Sequence, residues 1–234
     1  MNTKQRVSAQ RGGHLAVLTF NSRLRSNFVA AKPPRDGRSR PTTSVSGKCR
    51  LRVGKMEAQA PLRKPLALVF CDIAGFTHLM AQEGDLVASA FLREFYEHTG
   101  RLGREHRSLM IKFIADGFLA AFEHVDDVMP FVISVESLLS ENPTFVGRSL
   151  GFKFSLHYGN ALYIETSYGS DIFGEDVNVA AHLNDLAQPN EMVVSQAALD
   201  RMPTDYRARA GASEFRQFKR VGDVEFRRLN LLAS

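Results

Sequence analysis

From Pro65 onward, short apolar runs alternate with segments of helical periodicity. Residues 66–72, LALVFCD, are almost continuously apolar, which predicts a strand buried on both faces. Leucine and phenylalanine recur close to one stripe of residues 85–106, which predicts a helix. Two further apolar runs, on either side of residues 115–117, predict a β-hairpin with a short turn.

The rest of the pattern predicts the remaining elements. A helix is expected over residues 125–139, because the periodicity stops near Asn142 and Pro143, and a second hairpin is expected around Gly159 and Asn160. After these come a helix over 175–186, a strand over 192–195, a short helix ending near Met202, and strands over 214–218 and 224–231. The order βαββαβ with further α and β elements predicts an α+β fold. We expect a ferredoxin-like sandwich, with helices on one face of an antiparallel sheet, and a C-terminal α/β extension.

Charge divides the chain into two parts. Residues 1–64 hold 15 Lys and Arg against two acidic residues, whereas the rest of the chain is net acidic. The first part also lacks a hydrophobic period, so we expect a disordered basic tail over residues 1–64 and a folded domain over 65–232. The tail has four interpretations: a solvated segment without a partner, a contact with nucleic acid or anionic membrane, a targeting peptide, or untranslated sequence before a start at Met56.

Composition and motifs exclude several classes of protein. No apolar run approaches the roughly 18 residues of a membrane-spanning helix, so we expect no transmembrane segment. Cys49 and Cys71 lack the spacing of a zinc, redox or disulfide site, which favours a reducing, cytoplasmic compartment. The P-loop, serine-hydrolase and zinc-protease motifs are also absent from the sequence.

Two aspartates are candidates for a metal site. Asp72 ends the first buried strand, and the turn that follows offers the free N–H groups of a helix start, which bind phosphate. Asp116 lies in the hairpin turn, and in a ferredoxin-like sheet the first strand is close to that turn. We therefore expect the two carboxylates to converge as ligands for two Mg²⁺ or Mn²⁺ ions. The alternative for each is an ordinary capping or turn aspartate.

Three segments, VFCDIAGFT, KFIADGFLAAF and DIFGEDVNVAAHL, occur in an order and at spacings that resemble the catalytic domain of class III adenylyl and guanylyl cyclases. The resemblance covers roughly Pro65 to Leu232. It implies a homodimer with two composite sites, each with metal ligands from one subunit and purine and ribose contacts from the other. It also implies that two metal ions are held by Asp72, Asp116 and the carbonyl group of Ile73, and that the triphosphate-binding turn contains Gly75, Phe76 and Thr77.

Lys112 and Asp171 match the positions that contact the purine in the family. Adenine presents an acceptor at N1 and a donor at N6, so a lysine donor and an aspartate acceptor complement it, whereas guanine presents the reverse polarity. A mismatched buried donor loses roughly 1 to 3 kcal/mol, so the pair favours ATP as substrate. The reaction implied is conversion of ATP to 3′,5′-cyclic AMP and pyrophosphate. Without the motif, Lys112 would be interpreted as a solvent-facing lysine of a strand.

The resemblance places catalytic roles on Asn178, His182 and Lys219. Asn178 matches the asparagine that orients the ribose, and Lys219 matches a phosphate-binding lysine, although Arg220 replaces the usual glycine. His182 lies where the family usually has an arginine that stabilises transition-state charge. Histidine is shorter than arginine and only partly protonated at neutral pH, so we expect weak activity or greater activity at lower pH. The alternative is a degenerate module that binds nucleotide with little turnover.

Two further departures from the family pattern concern the turn and the dimer. Ala115 replaces the glycine that usually precedes the second metal aspartate, and the segment 159–171 is about three residues shorter than the usual dimerisation arm.

A third hypothesis is a ferredoxin-like nucleic-acid binder that uses the basic tail. It is disfavoured because the folded part is acidic and lacks the aromatic RNA-binding motif.

Overall fold

The computed structural model of the chain describes residues 62–167, 169–219 and 221–231. The predicted basic tail up to residue 61, the start at Met56 and the substitution at Arg220 lie outside the described residues. The first strand begins at Leu62, which pairs with Tyr163. The strand therefore starts three residues before the domain boundary expected from charge.

The strands are β1 Leu62–Ala74, β2 Met110–Ile114, β3 Gly117–Phe122, β4 Gly151–Thr166, β5 Gly169–Phe173, β6 Glu191–Ser195, β7 Glu214–Phe218 and β8 Gly222–Asn230. The helices are α1 Phe76–Glu105, α2 Val128–Glu141, α3 Glu175–Asn184, α4 Gln196–Leu199 and α5 Thr204–Ala208, and a 3₁₀ turn, Val125–Asp127, precedes α2. None of the described helices combines the length and the apolar composition that crossing a membrane requires.

The described strands form an eight-stranded sheet in the order β2-β3-β1-β4-β6-β8-β7, with β5 paired to β4. Central strand β1 pairs antiparallel with both β3 and β4. The arrangement β2-β3-β1-β4 with helices α1 and α2 is the βαββαβ unit, which confirms the predicted α+β fold. The extension begins with β6, which pairs parallel to β4.

Both faces of the sheet are covered. Val69 of β1 belongs to the core beneath α1 and α2, whereas its neighbour Leu68 belongs to a second core that includes Val177 of α3. This alternation explains the nearly continuous apolar run of β1. The sequence predicted helices on one face, which holds for α1 and α2; α3, from the extension, covers the other face and defines what we call the α3 face.

The predicted second hairpin is wrong. Gly159 and Asn160 lie inside β4, which runs unbroken for 16 residues, and they pair with Leu66 and Pro65 of β1. The N–H of Asn160 donates to a carboxylate oxygen of Asp176 at 2.6 Å. These long-range partners keep the backbone extended, so the reversal comes after β4, where the chain returns as β5.

Helix α1 begins earlier than predicted. It starts at Phe76 rather than near Asp85, and it is interrupted at Gly84, whose φ of 83° and ψ of 168° are not helical. Glycine adopts this conformation without the penalty that a side chain would incur. The predicted helix corresponds to the longer segment after this kink.

Candidate active site

Two carboxylates lie close together where β1 and the β2–β3 turn meet. Asp72 of β1 pairs with Gly117 at the start of β3, and Asp116 immediately precedes Gly117 in the turn. The pKa of the Asp116 carboxyl is raised, first by burial and then by the negative charge of Asp72. The negative charge of Asp72 thus disfavours ionisation of Asp116, and a divalent cation bound to the two carboxylates would relieve that repulsion.

Lys153 of β4 is the cation of this cluster. It pairs with Asp72 across the β1–β4 ladder, and its ammonium group forms an ion pair with the Asp72 carboxylate. Its positive charge also lowers the pKa of Asp116, in opposition to the effect of burial. Lys153 is not identifiable from the sequence pattern, in which its only signal is a single charge within the apolar run FKFSL.

The donor set fits magnesium or manganese. Asp72 and Asp116 supply hard anionic oxygens, and the carbonyl of Ile73 follows Asp72 directly in β1. Within the described residues, no group of three or more His, Cys, Asp and Glu side chains forms a metal site. The two carboxylates would therefore be completed by carbonyl, water and phosphate oxygens, the ligands that Mg²⁺ usually retains.

The turn after β1 provides backbone N–H groups at the start of α1. Gly75 has a φ of 89°, and a Cβ atom there would lie 2.5 Å from the carbonyl oxygen of Ser149, so only glycine fits. The Phe76 side chain is buried against Phe91, with ring centroids 5.8 Å apart. Any contact of Phe76 with an anion is therefore made by its backbone, whereas Thr77 is exposed. The free N–H groups and the helix dipole favour phosphate here.

The turn that carries Asp116 is strained and held from α1. Ala115 has a φ of 49°, a left-handed conformation that favours glycine. The hydroxyl of Tyr96 donates a hydrogen bond to the Ala115 carbonyl oxygen, and its ring stacks on Phe113 with centroids 4.2 Å apart. Ala115 thus adopts a turn conformation that glycine would favour. The role of Tyr96 in holding this turn is not identifiable from the sequence pattern.

Lys112 and Asp171, the predicted purine contacts, are brought together. The Lys112 Nζ donates to Asp171 Oδ2 at 2.7 Å. The other carboxylate oxygen of Asp171 accepts from the N–H of Ile172 at 2.9 Å. Both charged side chains are about half exposed, at 44% and 50%. An accessible donor and an accessible acceptor therefore stand side by side on β2 and β5.

Asn178 and His182 lie on an exposed surface of α3. The His182 ring stacks on Phe218 of β7, with centroids 5.1 Å apart and planes 14° from parallel. Its Nδ1 lies 3.8 Å from Asp185 Oδ2. Lys219 follows Phe218 directly and is exposed in the turn before β8. The stacking thus brings His182 to the chain segment that carries Lys219.

A family model described as the adenylate and guanylate cyclase catalytic domain matches residues 59–225. Among solved structures, adenylate cyclases from Trypanosoma brucei in their monomeric state align with a TM-score of 0.63 and 16% identity, covering 73% of this chain and 89% of theirs. The guanylyl cyclase Cya2 aligns with a TM-score of 0.59 and 17% identity, covering 72% and 92%. The adenylyl cyclase CyaB from P. aeruginosa aligns with a TM-score of 0.55 and 14% identity, covering 73% and 96%. At these identities the structural similarity concerns the fold.

Proposed function

The chain belongs to the family of adenylate and guanylate cyclase catalytic domains, and from this we propose that it is an adenylate cyclase, which converts ATP to 3′,5′-cyclic AMP and pyrophosphate. The observation that carries the proposal is the 2.7 Å pair between Lys112 and Asp171. It presents a donor and an acceptor together, with half of each side chain accessible. The relatives with solved structures include both adenylyl and guanylyl cyclases, so specificity depends on these residues.

The pair is complementary to adenine. The ammonium of Lys112 donates to N1, and the carboxylate of Asp171 accepts from the N6 amino group. Guanine would place its N1–H and 2-amino donors toward the ammonium and its O6 acceptor toward the carboxylate. Each mismatch costs roughly 1 to 3 kcal/mol, which corresponds to a factor of about 5 to 150 in favour of ATP for each of the two contacts.

Asp72 and Asp116 hold two Mg²⁺ or Mn²⁺ ions together with the Ile73 carbonyl in this proposal. The ions, when bound, stabilise negative charge on the phosphates and lower the pKa of the ribose 3′-OH. The protein's part is to keep both carboxylates ionised and close together. Lys153 assists by its positive charge, which lowers the pKa of the neighbouring Asp116 carboxyl.

The phosphates are bound by groups from three elements. The N–H groups of Gly75, Phe76 and Thr77 lie at the positive end of α1 and donate hydrogen bonds to an anionic oxygen. Lys153 is close to the carboxylates, and Lys219 is exposed near the His182 stack. Together they counter the charge that accumulates on the departing pyrophosphate.

Asn178 and His182 act on the ribose and the reacting phosphorus. Asn178 orients the ribose for in-line attack of the 3′ oxygen, and His182, when protonated, donates to the α-phosphoryl oxygens. The exposure of Asn178 on α3 leaves its amide available to a neighbouring subunit. We therefore assign the active form to a homodimer, with the metal ligands of one protomer facing Asn178 and the purine contacts of its partner.

The direct test is to incubate the purified 234-residue chain with ATP or GTP and Mn²⁺, and to identify the product by chromatography. The expected result is cyclic AMP, with little cyclic GMP. Cyclic GMP as the main product would overturn the adenine assignment. If neither cyclic AMP nor cyclic GMP forms while calorimetry shows that ATP binds, the enzymatic proposal is overturned.

A second candidate function is a nucleotide-binding module with little turnover. The observation that favours it is the engagement of His182 by Phe218 and Asp185 within its own chain. A histidine ring held in this way extends a shorter distance toward a bound phosphate group than an arginine side chain would. This candidate predicts Mg²⁺·ATP binding without cyclic product, and an increase in product when His182 is replaced by arginine.

The proposed compartment is the cytoplasm, where ATP is made available to such an enzyme. Cys71 is a free thiol buried in β1, and Cys49 lies outside the described residues. Burial raises the pKa of the Cys71 thiol, which keeps it protonated and unreactive. A reduced, buried thiol is consistent with this compartment.

A further inference from the structure

Three side-chain hydrogen bonds join the α3 face of β4 to one side of α3, and we call them the polar ladder. In the first, His157 Nε2 lies 3.0 Å from Asp176 Oδ1. In the second, Ser155 Oγ donates to the carbonyl oxygen of Ala180 at 2.7 Å. In the third, Asn184 Nδ2 donates to the carbonyl oxygen of Lys153 at 3.0 Å.

The spacing of the polar ladder fixes the direction of α3. Its members are every second residue on β4, from 153 to 157, and every fourth residue on α3, from 184 back to 176. Two strand residues span about 6.6 Å and four helical residues about 6.0 Å. The helix therefore runs antiparallel to β4, and a slip by one residue would break all three contacts.

The buried His157 ring contacts a partner through each of its nitrogens, Ser195 at Nδ1 and Asp176 at Nε2. The Ser195 hydroxyl accepts from the N–H of Ala198 at 3.3 Å, and its oxygen lies 2.9 Å from His157 Nδ1. Because the Asp176 carboxylate only accepts, Nε2 carries the ring proton and donates to it, which leaves Nδ1 to accept from the Ser195 hydroxyl. Burial lowers the pKa of His157, although the Asp176 carboxylate opposes that effect. A neutral imidazole of this tautomer satisfies both partners.

The Ser195, His157 and Asp176 set is not the nucleophilic triad of a hydrolase. Ser195 is 1% exposed, and its oxygen caps α4. No substrate carbonyl can approach an oxygen so placed, and a nucleophile must be accessible. Gly159 completes the packing, because a Cβ atom there would overlap the Asp176 carboxylate.

The polar ladder is also connected to Asp72, one of the two proposed metal ligands, through Lys153. Asn184 donates to the carbonyl oxygen of Phe70 in β1 at 3.2 Å as well as to that of Lys153. The ammonium group of Lys153 in turn pairs with Asp72. Strand β4 therefore contacts the carboxylate cluster through the Lys153 side chain, and it contacts α3 through the Lys153 carbonyl group.

We propose that the polar ladder sets the axial position of α3, and that His157, Asp176 and Asn184 are positioning residues for Asn178 and His182. Asn178 and His182 follow Asp176 and Ala180 by two residues, which turns them about 200° around the helix axis, away from β4. A shift of α3 by one residue would move them by about 1.5 Å and rotate them by about 100°. This inference rests on the proposed cyclase function.

The kinetic test compares His157→Leu with His157→Gln. Leucine removes the donor to Asp176, whereas glutamine places an amide N–H near the Nε2 position. We expect His157→Leu to lower kcat about tenfold to hundredfold with KM for ATP changed less than about twofold, because misplaced groups act mainly on the transition state. We expect His157→Gln to retain most of kcat. Equal losses in both variants would overturn the positioning role.

A matched control separates positioning from stability. Val132→Ala opens a cavity in α2 on the opposite face of the sheet, where Val132 is fully buried. It should lower the melting temperature at least as much as His157→Leu does and leave kcat within about twofold. A loss of kcat in Val132→Ala equal to that in His157→Leu would show that stability alone explains the effect, and would overturn the proposal.

Amide hydrogen exchange gives a readout that does not need turnover. His157→Leu and Asn184→Leu should speed exchange in residues 176–184 about tenfold or more, with α2 unchanged. Unchanged exchange in α3 would overturn the polar ladder as a positioning device. If the wild-type protein yields no cyclic nucleotide, the proposed function fails, and the exchange result alone decides whether the polar ladder fixes α3.

Discussion

The hydroxyl of Tyr96 donates a hydrogen bond to the carbonyl oxygen of Ala115, so a residue of α1 holds the left-handed turn that presents Asp116. The turn has no glycine at this position, and its conformation therefore depends on outside support. The contact also couples the first helix to the carboxylate cluster. Burial, and then the charge of Asp116, raises the pKa of the Tyr96 phenol, which keeps it a donor.

The first prediction concerns this turn. Tyr96→Phe should cost about 1 kcal/mol of stability and raise the Mn²⁺ concentration needed for half-maximal activity, because Asp116 is then less well placed. Ala115→Gly should relieve about 1 kcal/mol of backbone strain and leave metal dependence unchanged. Tyr163→Phe, which removes a hydroxyl bonded to Ser170 at 2.7 Å, is the control. An unchanged Mn²⁺ titration in Tyr96→Phe would contradict this role.

The second prediction exchanges the polarity of the purine contacts. The double variant Lys112→Glu, Asp171→Asn presents an acceptor for the guanine N1–H and 2-amino groups and a donor for O6. We expect the ratio of kcat/KM for ATP over GTP to fall by about 100-fold or more, measured with both nucleotides under the same conditions. Each single variant should lose activity with both nucleotides, since one mismatch remains. A ratio unchanged in the double variant would show that Lys112 and Asp171 do not contact the base.

The third prediction tests the composite sites. An Asp72→Ala, Asp116→Ala protein lacks the metal ligands, and a Lys112→Ala, Asn178→Ala protein lacks the groups expected from the partner. Each should be inactive alone. Equal mixing makes about half of the dimers mixed, each with one complete site, so about a quarter of wild-type activity should return. Mixed dimers isolated by two affinity tags and found inactive would contradict the shared site.

The fourth prediction is a pH effect on stability from Glu136 of α2. One of its carboxylate oxygens is buried without a hydrogen-bond partner among the described residues, and burial raises its pKa from 4.5 to about 7. The folded state therefore holds a proton that the unfolded state has lost above about pH 4.5. This contribution is complete below pH 4.5 and is lost as pH rises toward 7.

Glu136→Gln removes this titration and preserves the shape of the side chain. Because the group is partly exposed, we expect the wild type to lose only about 1 to 2 kcal/mol of stability between pH 5 and pH 8 relative to Glu136→Gln. Urea unfolding at the two pH values measures the difference. Parallel changes in the two proteins would contradict the raised pKa. Glu141→Gln, on the same helix, is the control.

The elements of the fold were predictable where local pattern decides them. The apolar run of β1 and the periodicity of α2 are properties of neighbouring residues, and both elements form. Helix α2 lies within three residues of its expected bounds, whereas β1 extends four residues before the predicted run and two after it. The continuity of β4 was not predictable, because Asn160 is kept extended by Asp176, which follows 16 residues later. A Gly-Asn pair favours a turn, but here the long-range hydrogen bond to Asp176 outweighs that local preference.

Some residues of the candidate site are likewise identifiable from local sequence, and others are not. Asp72 and Asp116 were identifiable from their places at a strand end and in a hairpin turn, and Lys112 and Asp171 from the motifs around them. Lys153 and His157 were not, because their partners depend on the register of β1 with β4 and of β4 with α3. Register is a long-range property, and no local spacing within β4 indicates which side chains face the carboxylates.

The last prediction concerns His182. Its stacked position on Phe218 suits a guanidinium as well, since arginine also stacks on aromatic rings and stays charged at every physiological pH. His182→Arg should therefore raise kcat about tenfold, because the guanidinium carries a permanent charge and presents a planar pair of donors to the α-phosphoryl oxygens. KM for ATP should change less than about twofold, since the added charge acts mainly on the transition state. His124→Arg, at an exposed position before α2, is the control. An unchanged kcat in His182→Arg would mean that His182 does not act on the phosphates.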